Sequence, residues 1–211
     1  MNNPYVLAFD CSTPVASVAV LAGDRLVRRD VPVGKQAALL VPTIEDAMTE
    51  AGIGYAQLGM LVSTVGPGSF TGLRIGLATL HGLALATGLP VKTLTASCAV
   101  AWAVDAPEFL VALHAGKGEM FMQHFRREAT QPPQSLGEIT LAPHADLHAQ
   151  TLPCYSNLWP TEHAYYMAGP DAAVMAHIAG QLSETTLAQA MPYYIREADA
   201  KIPQKPSWLV N

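Results

Sequence analysis

Residues 65–76, VGPGSFTGLRIG, join a short apolar run to a long helical pattern and contain four glycines and one proline. The preceding residues 60–64 (MLVST) have the length and the β-branched content of a buried strand. The following residues 71–87 contain no proline and are apolar on nearly every side. The stretch therefore predicts a strand, a glycine turn and a helix, and the rest of the chain is interpreted around this unit.

The glycine turn has two interpretations. Its main-chain N–H groups and the helix N-terminus can face an anion, as phosphate loops do. Alternatively, the glycines permit a tight turn and let the helix lie close against its neighbours. The pattern is neither Walker A, because no Gly-Lys-Ser/Thr follows, nor the dinucleotide pattern GxGxxG. Spacing alone favours packing and leaves an anion contact open.

The helical pattern over 71–87 carries two rows of small residues at a spacing of four. The rows consist of Gly72 and Gly76, and of Ala78, Gly82 and Ala86. Only Arg74 and His81 carry titratable groups, and a helix this apolar is not an ordinary surface helix. We expect one side to cover the sheet and the other to be covered by a second helix or a second protein chain.

The composition argues against several classes of protein. Apolar residues make up 50% of the 211 residues and charged residues only 14%, which suggests surface that is hidden in an assembly. A net charge of -5 argues against direct electrostatic binding of nucleic acid. The three cysteines form no CxxC pair, and no export signal or membrane-length apolar run occurs. These features predict a reduced, cytoplasmic protein without a membrane span.

The first half of the chain predicts a mixed sheet with helices on at least one face. The predicted strands are 5–9, 16–21, 25–31, 60–64 and 91–94, and the predicted helices are 35–51 and 71–87. Tight turns join the first three strands into an antiparallel meander. The first helix contains Pro42, so it either begins near Leu40 or is kinked there.

The second half begins with strands and turns much as the first half does. The predicted strands are 109–114, 119–125, 138–141 and 165–168, and the predicted helices are 95–104 and 172–182. The recurring order of strand, turn and helix indicates a duplicated, reduced lobe. We expect one lobe over residues 1–100 and a second over 101–211. The aromatic tail, 192–201, either packs on the body or docks a partner.

Two groups of side chains could carry chemistry. Asp10, Ser12 and Thr13 place a carboxylate and two hydroxyls at the first turn, where they could order a metal ion or a phosphate. Turn hydroxyls more commonly bond the turn backbone. His144 and His148 have the i, i+4 spacing of two imidazoles on one helix face, against the simpler interpretation of surface histidines. Because neither GxSxG nor a local cysteine signature occurs, no catalytic set emerges.

Residues 66–76 closely resemble the signature of the bacterial TsaB (YeaZ) family, whose members are accessory proteins in threonylcarbamoyladenosine formation in tRNA. Four further segments look like the same family in the same order: 7–13 (LAFDCST), 40–42 (LVP), 82–86 (GLALA) and the tail, 192–201. The resemblance covers residues 1–100 well and residues 105–190 loosely.

The resemblance implies an α/β, actin-like fold of the ASKHA and ribonuclease H-like group, with two lobes, mixed sheets and a reduced second lobe. It also implies a non-catalytic relative of TsaD that binds and activates that catalytic subunit alongside a TsaE-like ATPase. Such a protein forms a homodimer when alone and meets tRNA only through the complex. No intrinsic cofactor is implied, although ATP or ADP with magnesium could lie at the interface with the partner.

The interface that the resemblance implies lies on the helices after residues 34 and 70. We assign to it Leu40, Ile44, Met48, Arg74, Ala78, His81, Gly82, Leu85 and Ala86. The candidate phosphate or nucleotide contacts are Asp10, Ser12, Gly66, Gly68, Ser69 and Thr71. No catalytic residue and no metal ligand is assigned.

Two departures from the family pattern bear on catalysis. Catalytic relatives hold a metal partly through HxxxH on a first-lobe helix, whereas this chain has no histidine before His81. His114-Ala115-Gly116 stands where Asp-Ala-Arg commonly opens the second lobe. The missing HxxxH argues against a protease and against an independent transferase, and the second departure argues against a nucleotide or tRNA role of the second lobe. The alternatives to the accessory role are an independent ATP-using enzyme of the actin-like group and a glycoprotease-like metallopeptidase.

Overall fold

The computed structural model describes residues 5–129, 131–158 and 164–195. The strands in these ranges are β1 (Tyr5–Asp10), β2 (Ala16–Ala22), β3 (Arg25–Val31), β4 (Leu58–Thr64), β5 (Val91–Leu94), β6 (Glu108–Gly116), β7 (Glu119–Arg126), β8 (Gln134–Ser135), β9 (Thr140–Pro143), β10 (Cys154–Ser156), β11 (Ala164–Tyr166) and β12 (Glu184–Thr185). The α-helices are α1 (Gln36–Ala51), α2 (Phe70–Thr87), α3 (Ala96–Trp102) and α4 (Ala172–Ile178). Short 3-10 helices span Tyr55–Gln57, His144–Ala149 and Ala179–Gln181.

The first sheet is mixed, as the sequence predicts. Its strand order is β12-β5-β4-β1-β2-β3. The strands β1, β2 and β3 form an antiparallel meander, while β4 lies parallel to both β1 and β5. The parallel strands place the carboxyl ends of β1 and β4 side by side, and the glycine turn follows β4 at that edge.

Helices α1 and α2 cover one face of this sheet. The apolar stripe of α1 enters the core with Leu7, Phe9 and Leu61 of the sheet. This burial corrects the interface assignment of Leu40, Ile44 and Met48, which are at most 3% exposed. The prediction was wrong because an apolar stripe shows that a face is covered but not whether its own sheet or another chain covers it.

The opposite face of the first sheet is covered by α4, which packs on β1 and β2. Strand β12 then pairs with β5 at the edge of the same sheet. The chain therefore returns to the first lobe after residue 171, in contrast to the expected division at residue 100 and to the assignment of the helix over 172–182 to a duplicated second lobe. The helix was predicted from local periodicity, whereas the sheet that it covers depends on which apolar face lacks a partner.

The second sheet has the strand order β11-β10-β6-β7-β8, with β9 paired to β7. Helix α3 packs against β6 and β7 and shares their core, so it connects the two lobes. Strands β8, β10 and β12 were not predicted from the sequence, because each has only two or three residues and shows no clear alternation of apolar and polar side chains. In the parts of the chain described, no helix combines the length and the apolar character that crossing a membrane requires.

Candidate functional site

The glycine turn lies directly against the turn between β1 and β2. The Ser69 amide donates a hydrogen bond to the carbonyl oxygen of Ser12 at 2.7 Å. A Cβ at Gly68 would lie 2.1 Å from the same oxygen, and a Cβ at Gly72 would lie 2.0 Å from the carbonyl oxygen of Cys11. Neither position has room for a side chain, so close packing accounts for both glycines.

The N-terminus of α2 is capped by its own chain. The hydroxyl oxygen of Ser69 accepts a hydrogen bond from the Gly72 amide at 3.2 Å. The Ser69 amide is already bonded to Ser12. Two of the N–H groups that would face an anion therefore have partners within the protein.

The other candidate phosphate contacts are distributed unevenly. The carbonyl oxygen of Gly66 accepts a hydrogen bond from the Ala96 amide at 2.7 Å, which ties the glycine turn to α3. Thr71 is exposed on α2. The seam between the glycine turn and the turn after β1 thus holds only part of the predicted set of phosphate contacts. These residues are Asp10, Ser12, Gly68 and Ser69.

Asp10 ends β1 and is fully buried. Its Oδ1 accepts hydrogen bonds from the Thr64 hydroxyl and, at 3.1 Å, from the Ser12 amide. Among the residues described, its Oδ2 has no hydrogen-bond partner. Burial raises the pKa of Asp10 to about 6, and the hydrogen bonds from Thr64 and Ser12 offset only part of that increase. The carboxyl group therefore joins the ends of β1 and β4.

The seam does not fit a magnesium-bound phosphate. Magnesium keeps several waters and needs open space beside the carboxylate that binds it, whereas Asp10 has no accessible surface. The described ranges also contain no group of three histidine, cysteine, aspartate or glutamate side chains that could hold a metal ion.

Asp10 is expected to make the free energy of unfolding depend on pH. Its pKa is about 6 in the folded chain and 3.8 ordinarily, so folding takes up a proton between these values. The resulting stabilisation of the folded chain is complete below pH 3.8 and is lost as the pH rises through about 6. On lowering the pH from about 7 to about 4.5, the wild-type chain should gain about 2 kcal/mol relative to Asp10→Asn.

Urea denaturation of both proteins at the two pH values measures this gain. Asparagine is a suitable reference because it keeps an acceptor oxygen for Ser12 and Thr64 but does not titrate. A stability difference between the two proteins that stays constant with pH would show that Asp10 has an ordinary pKa.

A cleft of about 730 Å³ separates the two lobes. One wall is formed by residues 12–14 and 67–70, and the other includes His114, Ala115 and Gly116. A third wall is the described part of the tail, Tyr193–Ile195. The Tyr193 amide donates to the carbonyl oxygen of Val65 at 2.7 Å, so this part of the tail packs on the body. The remainder of the predicted tail, 196–201, lies outside the described residues.

A smaller pocket of about 390 Å³ in the second lobe is lined by His114, His144 and His148. The metal interpretation of His144 and His148 assumes an α-helix, but His144–Ala149 is a 3-10 helix, in which residues three apart share a face. The Nε2 of His144 lies 2.7 Å from the carbonyl oxygen of Glu119 and must donate to it. The helix face on which that interpretation depends is therefore not formed.

The side of α2 that faces away from the sheet is exposed along its length. We call this surface the α2 outer face and define it by Arg74, Ala78, His81, Gly82, Leu85 and Ala86. His81 is half-buried, and the other five residues are exposed. Leu85 is 76% exposed, and a Cβ added at Gly82 would meet no atom within 4 Å. An exposed surface this apolar is typical of a protein contact.

Sequence reasoning missed several exposed apolar residues near the ends of these helices. On α1, Leu39 and Val41 are 37% and 43% exposed. At the start of α2, Phe70 is 48% exposed and contacts Tyr194, which is 47% exposed. Leu39 and Val41 flank the core stripe of α1, so its period could have revealed them. Tyr194 is 120 residues away from Arg74 in the chain, and no local pattern connects them.

The matching family and two curated relatives of this chain are named for threonylcarbamoyladenosine formation in tRNA. The family described as TsaD, tRNA N6-adenosine threonylcarbamoyltransferase, matches residues 35–201. The tRNA threonylcarbamoyladenosine biosynthesis protein TsaB of Haemophilus influenzae is 33% identical over 61% of this chain and 56% of that protein. TsaB of Escherichia coli K12 is 33% identical over 58% of this chain and 55% of that protein. The chain thus spans little more than half the length of these curated relatives.

Solved structures give the same fold. YeaZ from Pseudomonas aeruginosa matches with a TM-score of 0.77 and 23% identity, over 92% of this chain and 100% of that chain. At this identity the likeness shows the fold alone. Together with the mixed first sheet, it confirms the predicted α/β fold with mixed sheets.

Proposed function

Because this chain belongs to the TsaB (YeaZ) family, which is related to TsaD, we propose that it acts in threonylcarbamoyladenosine formation in tRNA as a non-catalytic accessory subunit. It binds a TsaD-like catalytic subunit through the α2 outer face. The tRNA contacts the assembled complex rather than this chain alone.

The observation that carries this proposal is the exposure of the α2 outer face. Helix α2 has 18 residues, and Arg74 is its only Lys, Arg, Asp or Glu. Its exposed small residues allow another backbone to approach closely, and covering apolar surface contributes about 25 cal/mol per Å² removed from water. A partner that covers this face would remove from water the largest exposed aliphatic side chain of the helix, Leu85.

The accessory role is supported by the seam between the glycine turn and the turn after β1, which does not fit a magnesium-bound phosphate. Asp10 is buried without accessible surface, and the amides of Ser69 and Gly72 at the start of α2 are bonded within the chain. An accessory subunit of this kind acts by binding the competent conformation of its partner more tightly than other conformations. A hundred-fold preference corresponds to about 2.8 kcal/mol.

The same proposal includes two further associations. A TsaE-like ATPase acts on the assembled pair, and two copies of this chain associate through the α2 outer face when the catalytic subunit is absent. Because one face serves both contacts, the homodimer and the complex with the TsaD-like subunit exclude each other.

Reconstitution of the modification tests the proposed function. Unmodified tRNA is incubated with the TsaD-like subunit, the other proteins of the pathway from the same organism and the reaction's substrates, with this chain present or omitted. We expect omission to lower threonylcarbamoyladenosine, measured by mass spectrometry of nucleosides, by at least about 100-fold, which equals the 2.8 kcal/mol preference above. This chain with tRNA and substrates but without the TsaD-like subunit should give no product.

Undiminished product without this chain would contradict the proposed function. Product from this chain without the TsaD-like subunit would contradict its non-catalytic role and favour an independent enzyme.

A further inference from the structure

The described part of the tail meets the first turns of α2 in an aromatic cluster. The rings of Phe70 and Tyr194 lie 5.3 Å apart between centroids. The guanidinium carbon of Arg74 lies 3.7 Å from the centroid of the Phe70 ring. Its Nε donates to the Tyr194 hydroxyl oxygen at 3.4 Å. Stacking on one ring and bonding to the other restrict the rotamers of Arg74 and hold its charge in one place.

All three side chains of this cluster are open to solvent. Phe70 and Tyr194 are about half exposed, and Arg74 is exposed. Residue 74 lies one turn before Ala78 and two turns before Gly82, so the cluster continues the α2 outer face at its N-terminal end. Exposed aromatic and arginine side chains are enriched among the residues that dominate binding energy at interfaces.

A partner that covers the α2 outer face also removes Arg74 from water. Within the parts of the chain that are described, the carboxylates that form ion pairs are paired with other cations, and none is paired with Arg74. An arginine buried without a counter-charge costs several kcal/mol. The cost is avoided if the partner places a carboxylate against the outer edge of the guanidinium, whose planar fork binds it through two parallel hydrogen bonds.

We propose that Arg74, held by Phe70 and Tyr194, pairs with an aspartate or glutamate of the TsaD-like subunit, so that the tail forms part of the interface. This inference rests on the proposed function above and names the chemistry of the contact. A carboxylate is favoured over a nucleic-acid phosphate because Arg74 is the single cation of α2 in a chain of net charge -5.

Binding of full-length variants to the TsaD-like subunit tests this pairing. Calorimetry is performed at about 50 mM and about 300 mM salt. We expect Arg74→Glu to weaken binding at least about 30-fold at low salt, because two carboxylates then face each other. Arg74→Met keeps much of the side-chain volume and should weaken binding about ten-fold and remove most of the salt dependence. Tyr194→Ala should weaken binding about five-fold, because it releases Arg74.

The matched control is Arg25→Glu, which changes the net charge equally. Arg25 begins β3 opposite Ala22, while Leu21 pairs with Val6 near the start of β1. Arg25 therefore lies at the end of the sheet remote from the glycine turn, and Arg25→Glu should bind within about two-fold of the wild type. Circular dichroism and thermal unfolding establish that each variant is folded before binding is compared.

A charge exchange identifies the partner group. Surface aspartates and glutamates of the TsaD-like subunit are replaced by lysine one at a time, and one of these changes should restore the binding of Arg74→Glu. If none restores it, the carboxylate pairing is wrong.

Two outcomes separate this inference from the proposed function. Wild-type affinity of Arg74→Glu together with loss of binding in Gly82→Leu would overturn the pairing and leave the α2 outer face as the interface. Wild-type affinity of both variants would overturn the pairing and the proposed interface together.

Discussion

Gly72→Ala is expected to lower the free energy of unfolding by at least about 3 kcal/mol, although the same change stabilises most helices. The added Cβ would lie 2.0 Å from the carbonyl oxygen of Cys11 and 3.2 Å from its carbonyl carbon. Both are backbone atoms, so no side-chain rotation relieves the overlap. Either α2 or the turn after β1 must shift, and the shift disturbs the hydrogen bond between Ser69 and Ser12.

The matched control for this prediction is Gly82→Ala on the same helix. A Cβ at Gly82 meets no atom within 4 Å, and alanine is favoured over glycine in a helix interior by about 1 kcal/mol. Gly82→Ala should therefore be slightly more stable than the wild type. Urea denaturation followed by circular dichroism measures both variants. Equal effects of the two substitutions would show that the close approach of α2 to the first turn does not constrain the fold.

Gly82→Leu is expected to weaken association with the TsaD-like subunit at least about 100-fold, equal to about 2.8 kcal/mol. Gly82 lies in the row of small residues with Ala78 and Ala86, all exposed. A leucine there projects from the surface and holds the partner's backbone away from the helix, so neighbouring contacts are lost as well. Because the side chain extends into solvent in the free chain, folding should be largely unaffected.

Gly137→Leu is the matched control for the binding experiment. Gly137 is also exposed, and a Cβ there meets no atom within 4 Å, but it lies in the second lobe between β8 and β9. Calorimetric titration with the TsaD-like subunit and thermal unfolding are measured for both variants. Similar affinity of Gly82→Leu and Gly137→Leu would contradict the assignment of the α2 outer face as the interface.

Most elements of the first lobe were predictable because their signals are local. Arg25–Val31 and Val91–Leu94 have the predicted bounds, and α1 and α2 each begin within one residue of the predicted start. The glycine turn was also interpreted correctly as a site of close packing. Helix period, strand alternation and turn residues all act between residues that are near in sequence.

The position of the small residues on the α2 outer face could also be predicted from the sequence. Its small residues recur at a spacing of four, and that spacing alone places them on one side of the helix. The same reasoning was wrong for Leu40, Ile44 and Met48 because both sides of a helix can be apolar for different reasons. Burial against the sheet and burial against a partner leave the same pattern.

The sequence by itself determined the strand, glycine turn and helix unit, the antiparallel meander of β1, β2 and β3, and the row of small residues on α2, because each depends on residues that are near in sequence. Only the tertiary structure decided that α4 and β12 return to the first sheet, that Asp10 is buried, and that Tyr194 holds Arg74. These contacts join residues far apart in the chain. Their formation depends on which apolar surfaces remain uncovered once the helices and strands have packed. A local sequence pattern does not show which of these surfaces a distant segment will cover.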